Sequence, residues 1–278
     1  MYELKELENG FKYIEIQNSA ASAKIALQGA HIFSFKRSDA DELLWLSNVS
    51  AFEMGSAIRG GIPLCWPRFG NFDKSLPQHG FARTAAFELV SVREENEKLT
   101  TVHLRLESSD ESKKVWNYEF VLDVIFYISE SLEVEMITTN RDTKEFLITQ
   151  AFHTYFQVSD IQNIKIVGLQ NKAYLDTLIN EERVQKGSIR IDKEVDRIYK
   201  ESAEDIILED GDRAVHIGSE NSASVIVWNP WIEKCSKMSS MDIDGYKKFV
   251  CIESANALDD FRMLTPNESI SIGVKYFI

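Results

Sequence analysis

Tyr118-Glu119-Phe120-Val121-Leu122-Asp123-Val124-Ile125-Phe126-Tyr127-Ile128, then Ser129-Glu130-Ser131, then Leu132-Glu133-Val134-Glu135-Met136, sets the period of the chain. Tyr118, Phe120, Leu122, Val124, Phe126 and Ile128 fall on one face of an extended segment, because successive strand side chains point to opposite sides. Leu132, Val134 and Met136 continue that face after the serine-rich turn, with Glu133 and Glu135 outward. The pattern predicts a β-hairpin with one face in the core.

The same period of two recurs outward from this hairpin. It runs through Phe11 to Ile16, through Ala23, Ile25 and Leu27, and, after Gly29-Ala30, through His31 to Phe35. Thr101 to Glu107 is a half-buried strand in the same pattern. Further strands are expected at 86–92, 145–157, 164–168, 213–217, 224–228, 249–253 and 269–277. Helical period is scarce, with one short candidate around residues 230–238 and Pro230 near its first turn. Strands do not alternate with long helices, which argues against a doubly wound parallel sheet. No fixed repeat or linker divides the chain, and the charged segment 178–196 reads as surface loop. The expected fold is all-β: a single large antiparallel β-sandwich domain over residues 1–278, with few short helices.

The totals restrict function. The formal net charge is -13, which argues against nucleic acid or an anionic membrane as partner. A small anionic ligand stays open, because a local arginine cluster can dominate its own pocket. Met1 to Glu8 is acidic without an apolar signal region, and no apolar run approaches membrane-spanning length. Cys65, Cys235 and Cys251 are an odd number at long spacings. They suggest a reducing, cytoplasmic setting and buried, inert thiols, and fit no common zinc signature. The sequence does not set the oligomeric state, and a monomer is the simplest expectation.

The least generic stretch is 58–83, where Arg59, Arg68 and Arg83 stand among Gly60, Gly61, Pro63, Trp66, Pro67, Gly70, His79 and Gly80. It reads as a long shaped loop of the kind that carries binding residues. Gly60-Gly61 would let backbone N–H groups approach a ligand, and guanidinium groups match phosphate oxygens. Solvated loop arginines are the plain alternative. Arg68 is left open between an extra anion ligand and a solvent-facing residue. Neither a P-loop nor a dinucleotide fingerprint is present.

Among the histidines, His103 and His216 sit on polar strand faces and read as surface, and His31 as structural. His79 lies in a loop that offers no packing reason for an imidazole. His153, in Phe152-His153-Thr154-Tyr155-Phe156, should share a face with Ala151 and Tyr155. It is open between a satisfied core histidine and an acid/base group. Glu253 ends the apolar run 249–252, which suits either the point where a strand meets water or a base with a raised pKa. Asp196 alone reads as a surface aspartate. His79, His153 and Glu253 would make a conceivable metal triad, but no His-x-His or His-Glu-x-x-His pair supports one, and no metal is expected.

The blocks IRGGIPLCWPRFG (58–70), PQHGFAR (77–83), FHTYF (152–156), DRIY (196–199), VWNPW (227–231) and FVCIE (249–253) together resemble the hexose-6-phosphate mutarotases, the glucose-6-phosphate 1-epimerase branch of the aldose 1-epimerase superfamily. They occur in the family's order and cover the chain from about residue 20 to 277. The resemblance implies a galactose-mutarotase-like β-supersandwich and a cofactor-free exchange of α and β anomers of a phosphosugar. It implies His153 as the general acid on the ring oxygen and Glu253 as the base on the anomeric hydroxyl, placed on opposite sides of the hemiacetal. It gives His79 a contact near the reacting end, Asp196 the sugar hydroxyls, and Arg59 and Arg83 the 6-phosphate. The same chemistry on unphosphorylated hexoses, or a sugar-binding protein without turnover, are the alternatives.

Overall fold

The computed structural model describes residues 1–71, 75–201 and 205–278. Its centre is the hairpin read from the sequence. Strand Phe120–Ile128 pairs antiparallel with Leu132–Asn140, in a register running from Phe120 opposite Asn140 to Ile128 opposite Leu132. Phe120, Leu122, Val124, Phe126 and Ile128 are all buried, as are Leu132, Val134 and Met136. This hairpin lies within an eight-stranded antiparallel sheet that also holds Leu99–Glu107, Glu88–Asn96, Ser269–Phe277, Arg213–Glu220, Ile206–Asp210 and Lys165–Val167.

A second eight-stranded sheet carries Asp196 and Glu253. Its main path is Glu181–Val184, Ala173–Asp176, Val195–Tyr199, Ser224–Asn229, Phe249–Asn256, Gln150–Phe152 and Leu64–Cys65, with Tyr155–Gln157 also pairing Phe249–Asn256. The two large sheets meet in the core, where Phe156 and Tyr276 make an edge contact and the Thr154 and Tyr276 hydroxyls lie 2.7 Å apart. A four-stranded sheet, Tyr2–Glu6, Lys12–Gln17, Ala21–Ala26 and His31–Arg37, completes the layers together with a two-stranded ribbon. The α-helices among the described residues are short, Asp110–Val115 and Trp231–Cys235. The second falls within the helix expected at 230–238, with Pro230 as its N-cap.

Several local expectations are corrected. The single strand expected at 145–157 is three, Phe146–Ile148, Gln150–Phe152 and Tyr155–Gln157. Segment 178–196 is not all loop: it contains the exposed edge strand Glu181–Val184 and enters Val195–Tyr199. Glu253 does not end its strand, because Phe249–Asn256 runs three residues past it and is buried throughout. His103 is half-buried rather than free on the surface, its Nε2 2.5 Å from Asp123, which also holds Arg105. His216 is exposed beside Asp205, and His31 is buried with Nε2 2.7 Å from the Gly60 carbonyl.

The stretch 58–83, of which 72–74 lie outside the described residues, is anchored rather than laid over the surface. Leu64–Cys65 joins the second sheet. The buried Trp66 indole donates to Thr138 Oγ1 at 2.9 Å and packs on Phe120, tying the stretch to the central hairpin. Gly60 and Gly61 serve this anchoring and not ligand approach. At φ +115° and +64° they bring the backbone so close that a Cβ would lie 2.3 Å from the Trp45 carbonyl or 2.4 Å from the Ile32 carbonyl. The Gly61 N–H is already given to Trp45 O.

Candidate active site

The ladder beside Phe249–Asn256 breaks at one place. Gln150–Phe152 pairs with its far half, up to Phe152 opposite Ser254, and Tyr155–Gln157 with its near half, from Tyr155 opposite Cys251. His153 and Thr154 fall in the gap, outside either strand. The interruption frees the His153 ring to stand beside Glu253, with Nδ1 and Oε1 3.4 Å apart. The ring stacks on Tyr155, 4.9 Å between centroids and 13° from parallel, in keeping with the shared face read from the sequence.

Strand register builds the rest. Ile226 lies opposite Glu253 and Ile198 opposite Ile226, while Asp196 lies opposite Trp228. Alternation therefore turns Asp196, Ile198, Ile226, Trp228 and Glu253 to one face of the sheet, and all of them line a cleft of about 470 Å³. Arg59, His79 and Arg83 line the same cleft, so all six residues singled out in the sequence are brought together. Arg68 does not line it; its Nη1 donates to the carbonyls of Pro67 and Leu147.

The electrostatics follow from burial. Glu253 is 1% exposed and its Oε2 has no hydrogen-bond partner. Burial, with the Asp196 charge adding to it, pushes its carboxyl well above the usual range. Burial also holds the His153 imidazole well below its ordinary value, helped by His79, Arg83 and Arg59. In the free cleft burial therefore favours the neutral form of each group. Burial raises Asp196 as well, against the nearby Lys234 ammonium. His79 is brought down to about 3 by burial and by Arg83 and Arg59. Its Nδ1 accepts from the Gly70 N–H at 3.2 Å, which leaves the proton of the neutral ring on Nε2.

Arg59 reaches the cleft with Nη1 3.3 Å from the Tyr155 hydroxyl, and Arg83 donates from Nη2 to Gln78 O at 2.8 Å. The Arg59 Nε is buried with no partner. Two guanidinium groups thus face the cleft of a protein whose net charge is -13. The site can bind an anion and exchange protons at its floor. The two floor groups stand side by side, not across the cleft. That suits a carbon bearing two oxygens, since groups acting on both oxygens must be neighbours.

Comparison with known proteins decides the family: the aldose 1-epimerase family matches residues 12–276. The chain belongs to the aldose 1-epimerase family. An Escherichia coli K12 protein named "Putative glucose-6-phosphate 1-epimerase" is 35% identical over 249 residues, 88% of this chain and 83% of the relative. A Cenchrus ciliaris protein of the same name is 33% identical over 96% of this chain and 84% of its own. A crystal structure from Salmonella typhimurium described as a "putative mutarotase" superposes with a TM-score of 0.93 at 31% identity, covering 99% of this chain and 92% of the other. The epimerase is thus an isomerase on a mutarotase-like β-sandwich.

Sequence reading missed other cleft residues of the epimerase, among them Gln78, Tyr155, Thr177, Trp228 and Lys234. Gln78, Tyr155 and Trp228 sit inside the recognised blocks, which was the available signal. Thr177 and Lys234 lie outside them and reach the cleft only through sheet pairing and the short helix.

Proposed function

We propose that this epimerase interconverts the α and β anomers of a hexose 6-phosphate, with glucose-6-phosphate the first candidate, in the cytoplasm. The observation that carries this reading is the combination in one cleft of a buried carboxyl–imidazole pair 3.4 Å apart with the Arg59 and Arg83 guanidinium groups. The Escherichia coli and Cenchrus ciliaris relatives, each named "Putative glucose-6-phosphate 1-epimerase", support the substrate.

In the proposed cycle Glu253, as carboxylate, takes the proton from the anomeric hydroxyl, while His153, as imidazolium, gives a proton to the ring oxygen. The C1–O5 bond breaks to an aldehyde and a C5 hydroxyl. Rotation about C1–C2 presents the other aldehyde face, and closure returns both protons. The reactive pair holds one proton, and so does the pair after ring opening, when Glu253 is the acid and His153 is neutral. Burial favours that second form, so the cleft is matched to the open-chain intermediate. Arg59 and Arg83 hold the phosphate as bidentate donors, His79 contacts the sugar near C1, and Asp196 accepts from its hydroxyls.

Saturation-transfer NMR on a panel of sugar 6-phosphates with unphosphorylated controls tests the reading. It expects enzyme-dependent anomer exchange for a hexose 6-phosphate well above that for the free sugar. Equal rates on both would assign the site to free hexoses, and tight phosphosugar binding without exchange would make it a binding protein.

A further inference from the structure

Cys251 stands two residues before Glu253 on Phe249–Asn256, so both side chains leave the same face. A ligating atom of His153, the Cys251 sulfur and a Glu253 carboxylate oxygen all lie within 4.8 Å of one another. His153 Nδ1 and Glu253 Oε2 are buried without a hydrogen-bond partner. The ion-pair contact between Nδ1 and Oε1, at 3.4 Å, does not have hydrogen-bond geometry. Orphaned donors and acceptors of this kind are uncommon in interiors and point to something that completes them.

Thiolate, imidazole and carboxylate are the donor set of zinc-type ions, and three protein ligands leave a fourth place for water. With metal–ligand bonds of about 2.0–2.3 Å, the edges of a tetrahedral site run roughly 3.3–3.8 Å. The 3.4 Å separation of Nδ1 and Oε1 already has that length. The three ligand atoms all lie within 4.8 Å of one another.

We propose that His153, Cys251 and Glu253 form a site for a thiophilic divalent cation such as Zn²⁺, and that occupation of this site arrests anomer exchange. The second half rests on the roles given above to His153 and Glu253. On binding, the Cys251 thiol proton and any Glu253 carboxyl proton leave to buffer, and His153 ligates as neutral imidazole. No oxidation is involved. The ion ties up both the base and the acid, so the metal is an inhibitor here and not a cofactor. The sequence pattern groups His79 with His153 and Glu253 as the conceivable triad; in the structure Cys251 is the residue clustered with His153 and Glu253.

The test is calorimetric titration of the metal-free protein with ZnCl₂, X-ray absorption of the product, and anomer exchange of glucose-6-phosphate with and without zinc. A single tight equivalent with one sulfur ligand is expected, with exchange lost on binding and restored by chelator. Cys251→Ala should keep the metal-free exchange rate. Outer-shell partners alone are worth about 10–100-fold in affinity, so losing a ligand should weaken zinc on the order of a hundredfold. Thermal melts check folding, and Cys251→Ser provides a second variant should the alanine protein melt early. Zinc bound through nitrogen and oxygen alone, or inhibition undiminished in both variants, overturns the proposal. A sulfur-ligated zinc in a protein with no exchange activity would uphold the metal site and sink the mutarotase reading instead.

Discussion

His153 and Glu253 are far apart in sequence and meet because one ladder is interrupted between Phe152 and Tyr155. Neither the break nor the register could be read from local pattern, which is why His153 stayed open and Glu253 was placed at a strand end. What the sequence did carry were the residue types within distinctive blocks, and those proved to line one cleft. Arg59 shows the same division. Its loop position was legible, but its contact with the Tyr155 hydroxyl depends on the fold. Arg59→Ala should raise KM for the phosphosugar on the order of 10–100-fold, the worth of one hydrogen bond to a charged group. It should leave KM for the unphosphorylated sugar nearly unchanged; steady-state kinetics on the two substrates checks the difference.

Among the elements, strands with one buried face were read best, since alternation in the residues and in the burial is the same fact. The Phe120–Ile128 strand alternates buried and half-buried along its whole length. Glu181–Val184 has no buried residue, so it has no apolar face to read. Asp110–Val115 has no buried residue either, and its capping box uses serines at 109 and 112 rather than the glutamate that would have flagged it. Leu122→Ala, in the core of the central strand, should cost about 2–5 kcal/mol. Thermal denaturation should show it as a lower Tm, with specific activity of the folded fraction retained. Gly61→Ala, at φ +64° against the Ile32 carbonyl, should destabilise the protein comparably and also displace Arg59. Its signature is a lower Tm together with a raised phosphosugar KM.

For the whole molecule, buried titratable groups set the pH response. His31 is fully buried, and burial brings it down from 6.5 to about 4 although its hydrogen bond to Gly60 raises it. Between those values the unfolded chain binds the proton and the folded chain does not, so stability rises with pH from about 4 to about 6.5. This group alone accounts for about 3 kcal/mol of that rise. Urea denaturation of the protein and of His31→Gln across that range should show a shallower slope in the variant. Glu253 acts in the opposite sense. Its folded pKa lies above its unfolded one, so its contribution is lost as pH rises through and beyond the ordinary carboxylate range. Glu253→Gln should therefore be more stable than the unsubstituted protein at neutral pH.

That same variant tests the central claim. Anomer exchange of glucose-6-phosphate is measured by saturation-transfer NMR for the unsubstituted protein and for Glu253→Gln, with circular dichroism confirming that both are folded. Enzyme-dependent exchange is expected in the unsubstituted protein, falling by about 10²–10⁴ in the variant. A folded Glu253→Gln protein that exchanges the anomers at the unsubstituted rate would contradict it.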